Sequence, residues 1–184
     1  LSRFNVHRDL GDGLLEQFIR INVRPPNEVM GDIYAQFAAN RTGEARFIEM
    51  LERFGEDTVL AGAAELQDYS ERLAREAIRA IPDGVYEAED FVDDNGFTED
   101  PLRVAVKITV DGDSLELDFE GSAAQTKGII NSPLAATISA AYGAIGILLG
   151  GGKIPVNDGL YRPIRAVHVP YGSFLNPSEP RAVR

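Results

Sequence analysis

Two carboxylates flank an aromatic residue in Asp118-Phe119-Glu120-Gly121-Ser122, with a glycine and a hydroxyl directly after them. A strand that ends at a glycine turn can carry polar groups into a cleft, and connecting segments on a rigid scaffold hold many functional residues. Asp118 and Glu120 are therefore candidate catalytic groups. The polar face of an edge strand accounts for them too. Lys127-Gly128-Ile129-Ile130-Asn131-Ser132-Pro133 follows closely. Backbone donors near a helix start suit an anion or a carbonyl oxygen, and an ordinary loop and cap is the structural alternative. Asn157-Asp158-Gly159-Leu160-Tyr161-Arg162-Pro163-Ile164 adds a polar turn with one arginine. Arg162 suits a carboxylate clamp or a solvated surface position.

Other chemistries are poorly served. The chain has no cysteine, which excludes disulfides, thiolate metal sites and cysteine nucleophiles and fits a cytoplasmic protein. Its histidines, His7 and His168, are far apart, and His168 sits among apolar strand residues, as a structural histidine would. No metal site is assigned. Asp90, Asp93 and Asp94 read as an exposed turn rather than a cation site. Gly150-Gly151-Gly152-Lys153 resembles a phosphate cradle but follows a helix, whereas a phosphate loop follows a strand and opens one. The formal net charge of −11 repels phosphate backbones and anionic lipid, so neither nucleic acid nor membrane is an expected partner. The most apolar stretch, residues 138–149, is about 12 residues, short of the roughly 20 needed to span a bilayer. It reads as a buried helix.

The elements that position these residues show two periods. Leu14, Leu15, Phe18, Ile19 and Val23 recur at helical spacing until Arg24-Pro25-Pro26. Asn27 then caps a helix with Val29, Ile33 and Phe37 on one stripe. A break is expected at Asn40-Arg41-Thr42-Gly43, followed by a helix carrying Phe47, Ile48, Leu51 and Phe54 that stops at Gly55. Asp57 caps a further helix with Val59, Leu60, Ala63, Leu66, Leu73 and Ala77, ended by Pro82-Asp83-Gly84. These helices are expected to form a hairpin or small bundle.

The period then becomes two. Val104, Val106, Ile108 and Val110 alternate with polar or small residues, as do Leu115, Leu117 and Phe119, with Asp111-Gly112 marking a tight hairpin. Val85 to Val92 supplies a third strand of an antiparallel meander. Ser132 as cap and Pro133 at the first helical position start a Gly/Ala-rich packed helix that ends at Gly150-Gly151-Gly152. Residues 164–169 form a last strand. The expected class is α+β: a mainly helical region over 1–84, then an antiparallel sheet plus helix over 85–184.

Several of these segments, in this order, resemble the middle of hydantoinase B/oxoprolinase subunits. They are Asn22-Val23-Arg24-Pro25-Pro26, Gly31-Asp32-Ile33-Tyr34-Ala35-Gln36, Ala39-Asn40-Arg41-Thr42-Gly43, Pro82-Asp83-Gly84-Val85-Tyr86, Asp118 to Ser122, Asn131-Ser132-Pro133-Leu134-Ala135 and Gly159 to Ile164. The resemblance runs from about Leu14 onward and implies an internal fragment of a larger subunit. It further implies ATP-dependent opening of hydantoin-like or lactam rings, in a hetero-oligomer with an actin-like hydantoinase A-type subunit that binds the ATP. A divalent metal is left open and is not assignable to these residues. Under this resemblance Asp118 and Glu120 would orient water, and Asn131 and Arg162 would recognise substrate oxygens. The alternatives are a non-catalytic assembly module of that complex and a subunit of a related ATP-dependent ketone carboxylase. The fragment on its own is expected to be inactive.

Overall fold

A computed structural model of the chain describes residues 5–11 and 13–183. It divides into two compact units, Leu1–Ala61 and Gly62–Arg184.

The first unit is helical. α1 spans Val6–Asp9, α2 Leu14–Asn22 and α3 Pro26–Phe54. Pro26 opens α3 at the position where the missing N–H costs nothing. Asn27 is therefore inside the helix rather than its cap, and its side chain accepts from Arg20 at 3.0 Å. The break expected at Asn40–Gly43 is absent, and α3 is one helix of 29 residues. Gly43 has open space around it and no positive φ. A glycine in a helix interior costs about 1 kcal/mol relative to alanine, too little to stop a helix with strong formers on both sides. Glu16, in the first turn of α2, is buried at 5% exposure. It accepts from the Tyr34 hydroxyl at 2.5 Å, the Gly11 amide at 2.9 Å and Arg20 Nε at 2.7 Å. A buried carboxylate needs such partners, because desolvation without them would drive it neutral.

Gly55, at φ 81°, ends α3, and α4 runs over Glu56–Arg79. Asp57 thus lies in the first turn of α4 and not before it. The second unit is built on a four-stranded sheet in the order β1 (Gly84–Val92), β2 (Leu102–Asp111), β3 (Ser114–Asp118) and β4 (Ile164–His168). The first three strands form the antiparallel meander, with Gly112 at φ 61° in the β2–β3 turn. β4 runs parallel to β3, so the sheet is mixed and not purely antiparallel. The reason is the connection: α5 (Leu134–Gly150) and α6 (Asp158–Tyr161) lie between β3 and β4. A parallel neighbour requires such a crossover. The α+β class stands.

Alternation along the strands puts Val110, Leu115, Leu117 and Ile164 into a core with Ala141 and Ile145 of α5 and Ile78 of α4. Ser70, Ala74 and Ile78, four residues apart, form the buried face of α4. Tyr142 and Tyr161 stack with centroids 4.6 Å apart. Gly159 lies so close to α4 that an added Cβ would overlap the Gln67 carbonyl oxygen. α5 begins one residue later than expected. Pro133 is its cap residue, and the Ser132 hydroxyl accepts from Thr137 instead of capping. Gly151, in the left-handed conformation, closes it. α5 carries no charged residue, and Ile147 and Leu148 on it are exposed. No helix among the described residues is long and apolar enough to cross a membrane.

Candidate functional site

The pleat of the sheet separates two kinds of surface. Val104, Val106, Ile108, Leu117 and Phe119 face α5 across an apolar cavity of about 360 Å³, together with Ala140, Ala141 and Ala144. The residues between them in sequence point to the opposite face. There the register aligns one polar residue from each strand: Glu87 opposite Lys107, Lys107 opposite Asp118, and Asp118 opposite His168. A hollow of about 220 Å³ opens over this row, lined by Glu87, Arg103, Lys107, Asp118 and Glu120 among others. Strand parity therefore puts the candidate carboxylates on the polar face, and Phe119 between them on the apolar one.

Asp118 ends β3. Its Oδ1 accepts from the Glu120 amide at 2.9 Å, and its Oδ2 is 3.1 Å from Lys107 Nζ. The Glu120 amide, countered by partial burial and then reinforced by Lys107, holds its carboxyl below the usual aspartate range. Glu120 is solvent-facing, with Oε2 3.6 Å from His168 Nε2. His168 is 61% exposed in its side chain, which corrects the expectation of a histidine held among apolar residues. Its neighbours are apolar in sequence, but parity turns it outward. Ser122 is occupied in the ladder, its Oγ accepting from the Ala105 amide and donating to the Ala105 carbonyl. Arg103 is held by Glu89 at 2.7 Å and by the Gly121 carbonyl at 3.2 Å.

Asn131 is fully buried. Its Oδ1 accepts from the Thr126 amide at 2.9 Å, and its Nδ2 donates to the carbonyls of Thr126, Gly128 and Ala182 at 3.0, 2.9 and 2.8 Å. It ties the loop before α5 to the segment around Val183. Arg162 binds Asp68 at 2.7 Å, Glu71 at 3.0 Å and Gln67 at 2.7 Å, all on α4. Arg162 precedes the first residue of β4, whereas His168 is its last and pairs with Asp118. The structure thus brings Asp118 and Glu120 together and leaves Asn131 and Arg162 in separate places. Lys107, Glu87 and His168 complete the row; strand alternation gives their parity, but only the register shows that they align.

Among the described residues, no group of three or more His, Asp or Glu side chains is arranged to hold a metal ion. Asp90 lies inside β1, which corrects its expected place in a turn, and accepts from the Phe91 amide at 2.8 Å, whereas Asp94 follows the strand and accepts from the Gly96 amide at 2.7 Å, as a turn carboxylate does. Gly150 is the last residue of α5 and Gly151 to Lys153 follow it as its stop, so this segment offers no phosphate loop opening a helix. The His7 side chain lies outside the described set. No step involving ATP is therefore placed on these residues.

Comparison with known proteins gives a consistent answer. The family model described as hydantoinase B/oxoprolinase matches residues 7–184. The chain is 43% identical over 172 residues to a protein of Pseudomonas sp. (strain NS671) named as the B-type subunit of a D-/L-hydantoinase, covering 88% of this chain and 29% of that protein. It is 33% identical over 160 residues to the beta subunit of the caprolactamase of Pseudomonas jessenii, covering 86% of this chain and 27% of that protein. The crystal structure of the ATP-dependent caprolactamase from that organism superposes with a TM-score of 0.72 at 31% identity, over 86% of this chain and 27% of that one. A nucleotide-free acetone carboxylase structure superposes with a TM-score of 0.79 at 20% identity, over 91% of this chain and 24% of that one, which is a likeness of fold. The chain thus spans under a third of the length of these relatives.

Proposed function

The chain belongs to the hydantoinase B/oxoprolinase family, and from that premise we propose that it is the central part of a subunit of an ATP-dependent cyclic amide hydrolase. The observation that carries this is the 43% identity with a hydantoinase B-type protein over 88% of the chain. The substrates are hydantoin-like or lactam rings. The ATP is bound by an actin-like hydantoinase A-type partner, in a cytoplasmic hetero-oligomer. The partner phosphorylates the amide oxygen, which makes a poor leaving group a good one, and this subunit helps water reach the activated carbon.

Within the chain, Asp118 and Glu120 are the residues that orient the water. They share one edge of a hollow large enough for several water molecules, since each takes about 30 Å³ in the liquid. Partners on both Asp118 oxygens keep the carboxylate ionised and fixed, which suits it to orient a water by accepting its hydrogen bond. Substrate-oxygen recognition by Asn131 and Arg162 would require each to release the protein groups it holds. Their geometry supports a different contribution, in which Asn131 fixes the loop before α5 and Arg162 fixes the turn before β4.

Hydrolysis is favoured over carboxylation because the named relatives above 30% identity act, by name, on hydantoins and caprolactam, whereas the carboxylase likeness is one of fold. The test is substitution in the full-length subunit with its ATP-binding partner. Asp118→Asn is expected to lower kcat/KM for a cyclic amide by about 10²-fold, the usual cost of a misplaced reacting group. Native turnover in both Asp118→Asn and Glu120→Gln would remove the pair from the mechanism and favour the assembly-module reading.

A further inference from the structure

We infer that Lys107 and His168 are positioning residues for the Asp118–Glu120 pair, holding it from the two flanking strands. The inference rests on the catalytic reading of that pair. Its basis is the cross-sheet row, in which β2 supplies Lys107 and β4 supplies His168 to the strand between them.

Lys107 Nζ lies 3.1 Å from Asp118 Oδ2, while the Glu120 amide takes Oδ1. Each oxygen has one donor, so the carboxylate plane is fixed. Each oxygen also keeps a further lone pair for a water in the hollow, because an ionised carboxylate offers about four acceptor sites. The same Glu120 that donates its amide to Asp118 carries the second carboxyl. The Asp118–amide contact therefore sets the backbone from which the Glu120 side chain leaves. His168 Nε2 stands 3.6 Å from Glu120 Oε2, beyond direct hydrogen-bond range but within ion-pair reach when the ring carries its second proton, so that form draws the carboxylate toward β4. The Phe119 amide donates to the His168 carbonyl at 2.9 Å, so the backbones of the two segments are locked together.

The charged and titratable groups facing Asp118 are Glu87 from β1, Lys107 from β2, His168 from β4, and Glu116 and Glu120 along its own strand. Of its two direct register partners, Lys107 makes the contact with the carboxylate and His168 supports the charged form more weakly, while the nearby Arg103 is committed to Glu89 and the Gly121 carbonyl. Loss of Lys107 would therefore expose Asp118 to the surrounding carboxylates. Its folded pKa would rise, and the basic form would be lost at higher pH.

The test has a spectroscopic arm and a kinetic arm. In the full chain, the ¹³C titration of the Asp118 carboxyl should move to higher pH in Lys107→Gln and return in Lys107→Arg. In the full-length subunit with its partner, the acid limb of the kcat/KM profile should move in the same direction. His168→Gln should lower kcat by about 10- to 100-fold with little change in KM, the cost of a slightly misplaced group. An Asp118 titration that does not move in Lys107→Gln overturns the role of Lys107, and an unchanged kcat in His168→Gln overturns that of His168. A native-like acid limb in Lys107→Gln, with Asp118→Asn still inactive, also overturns the positioning role. Native turnover in Asp118→Asn would instead refute the reading on which it rests.

Discussion

Replacing Asn131 by alanine tests whether this residue is a staple or a substrate contact. The side chain is fully buried, and its amide makes four hydrogen bonds, one accepted and three donated, all with backbone groups. The amide nitrogen has two protons for three carbonyls, so one donation is shared. Alanine leaves the Thr126 N–H and these carbonyls without their partner. Thr126 and Gly128 are buried, and a buried polar group left unpaired costs about 1–3 kcal/mol. Carbonyls keep a second lone pair and lose less, so the expected total is about 2–4 kcal/mol. For a chain of this length each kcal/mol lowers Tm by about 2–4 °C, giving roughly 4–16 °C. The assay is a thermal melt combined with amide hydrogen exchange at Thr126, whose protection should fall with the melt. Asn131→Asp should do at least as much harm, because it keeps the acceptor but turns a negative charge toward three carbonyls. A melt within about 1 °C of native in Asn131→Ala, with KM for the cyclic amide raised, would refute the staple and restore a substrate contact.

Three further perturbations probe the frame. Gly43→Ala, in an open mid-helix position, should stabilise the first unit by about 0.5–1 kcal/mol, read by urea melts; a destabilised variant would show that Gly43 serves a purpose other than helix continuity. Gly159→Ala should destabilise the second unit by about 1–3 kcal/mol, because its Cβ meets the Gln67 backbone rather than a movable side chain; an unchanged melt would disprove that close approach. Glu16 is held down at about 2, first by the Tyr34 hydroxyl and then by Arg20, against its burial. Its folded pKa lies below the ordinary glutamate value of about 4.3. The stability it contributes is thus present above that value and lost as pH falls toward 2. A pH series of melts should show this acid-side loss in the native chain and a weaker one in Glu16→Gln; identical slopes would refute it.

The sequence carried the local structure well and the long-range structure poorly. Alternation from Val104 to Phe119 and the turn signal at Asp111-Gly112 were enough to place β2, β3 and their buried face, because the period of two is a property of the strand itself, although the turn sits one residue later, on Gly112-Asp113. The parallel seat of β4 was not legible. Residues 164–168 alternate the same way in either direction, and the direction is set by the crossover through α5. Gly43 read as a stop because a lone glycine weakens a helix, yet the residues around it outweigh one such cost. The carboxylates at Asp118 and Glu120 were legible as a pair. Their separation from the apolar cavity by the sheet follows from parity once Phe119 is seen to face α5. Asn131 and Arg162 look alike in sequence to polar residues that await a ligand. Only the fold shows that one is filled by backbone groups and the other by the acids of α4.

The central claim is that this chain serves the ATP-dependent opening of cyclic amides. Its most direct test is mass-spectrometric detection of ring-opened product from a hydantoin and lactam panel, alongside phosphate release, using the full-length subunit with its ATP-binding partner. The account predicts ring-opened product formed in step with phosphate, absent when the 184-residue chain replaces the full-length subunit. Phosphate release that ignores every cyclic amide but responds to a ketone with bicarbonate, yielding a carboxylated product, would contradict it.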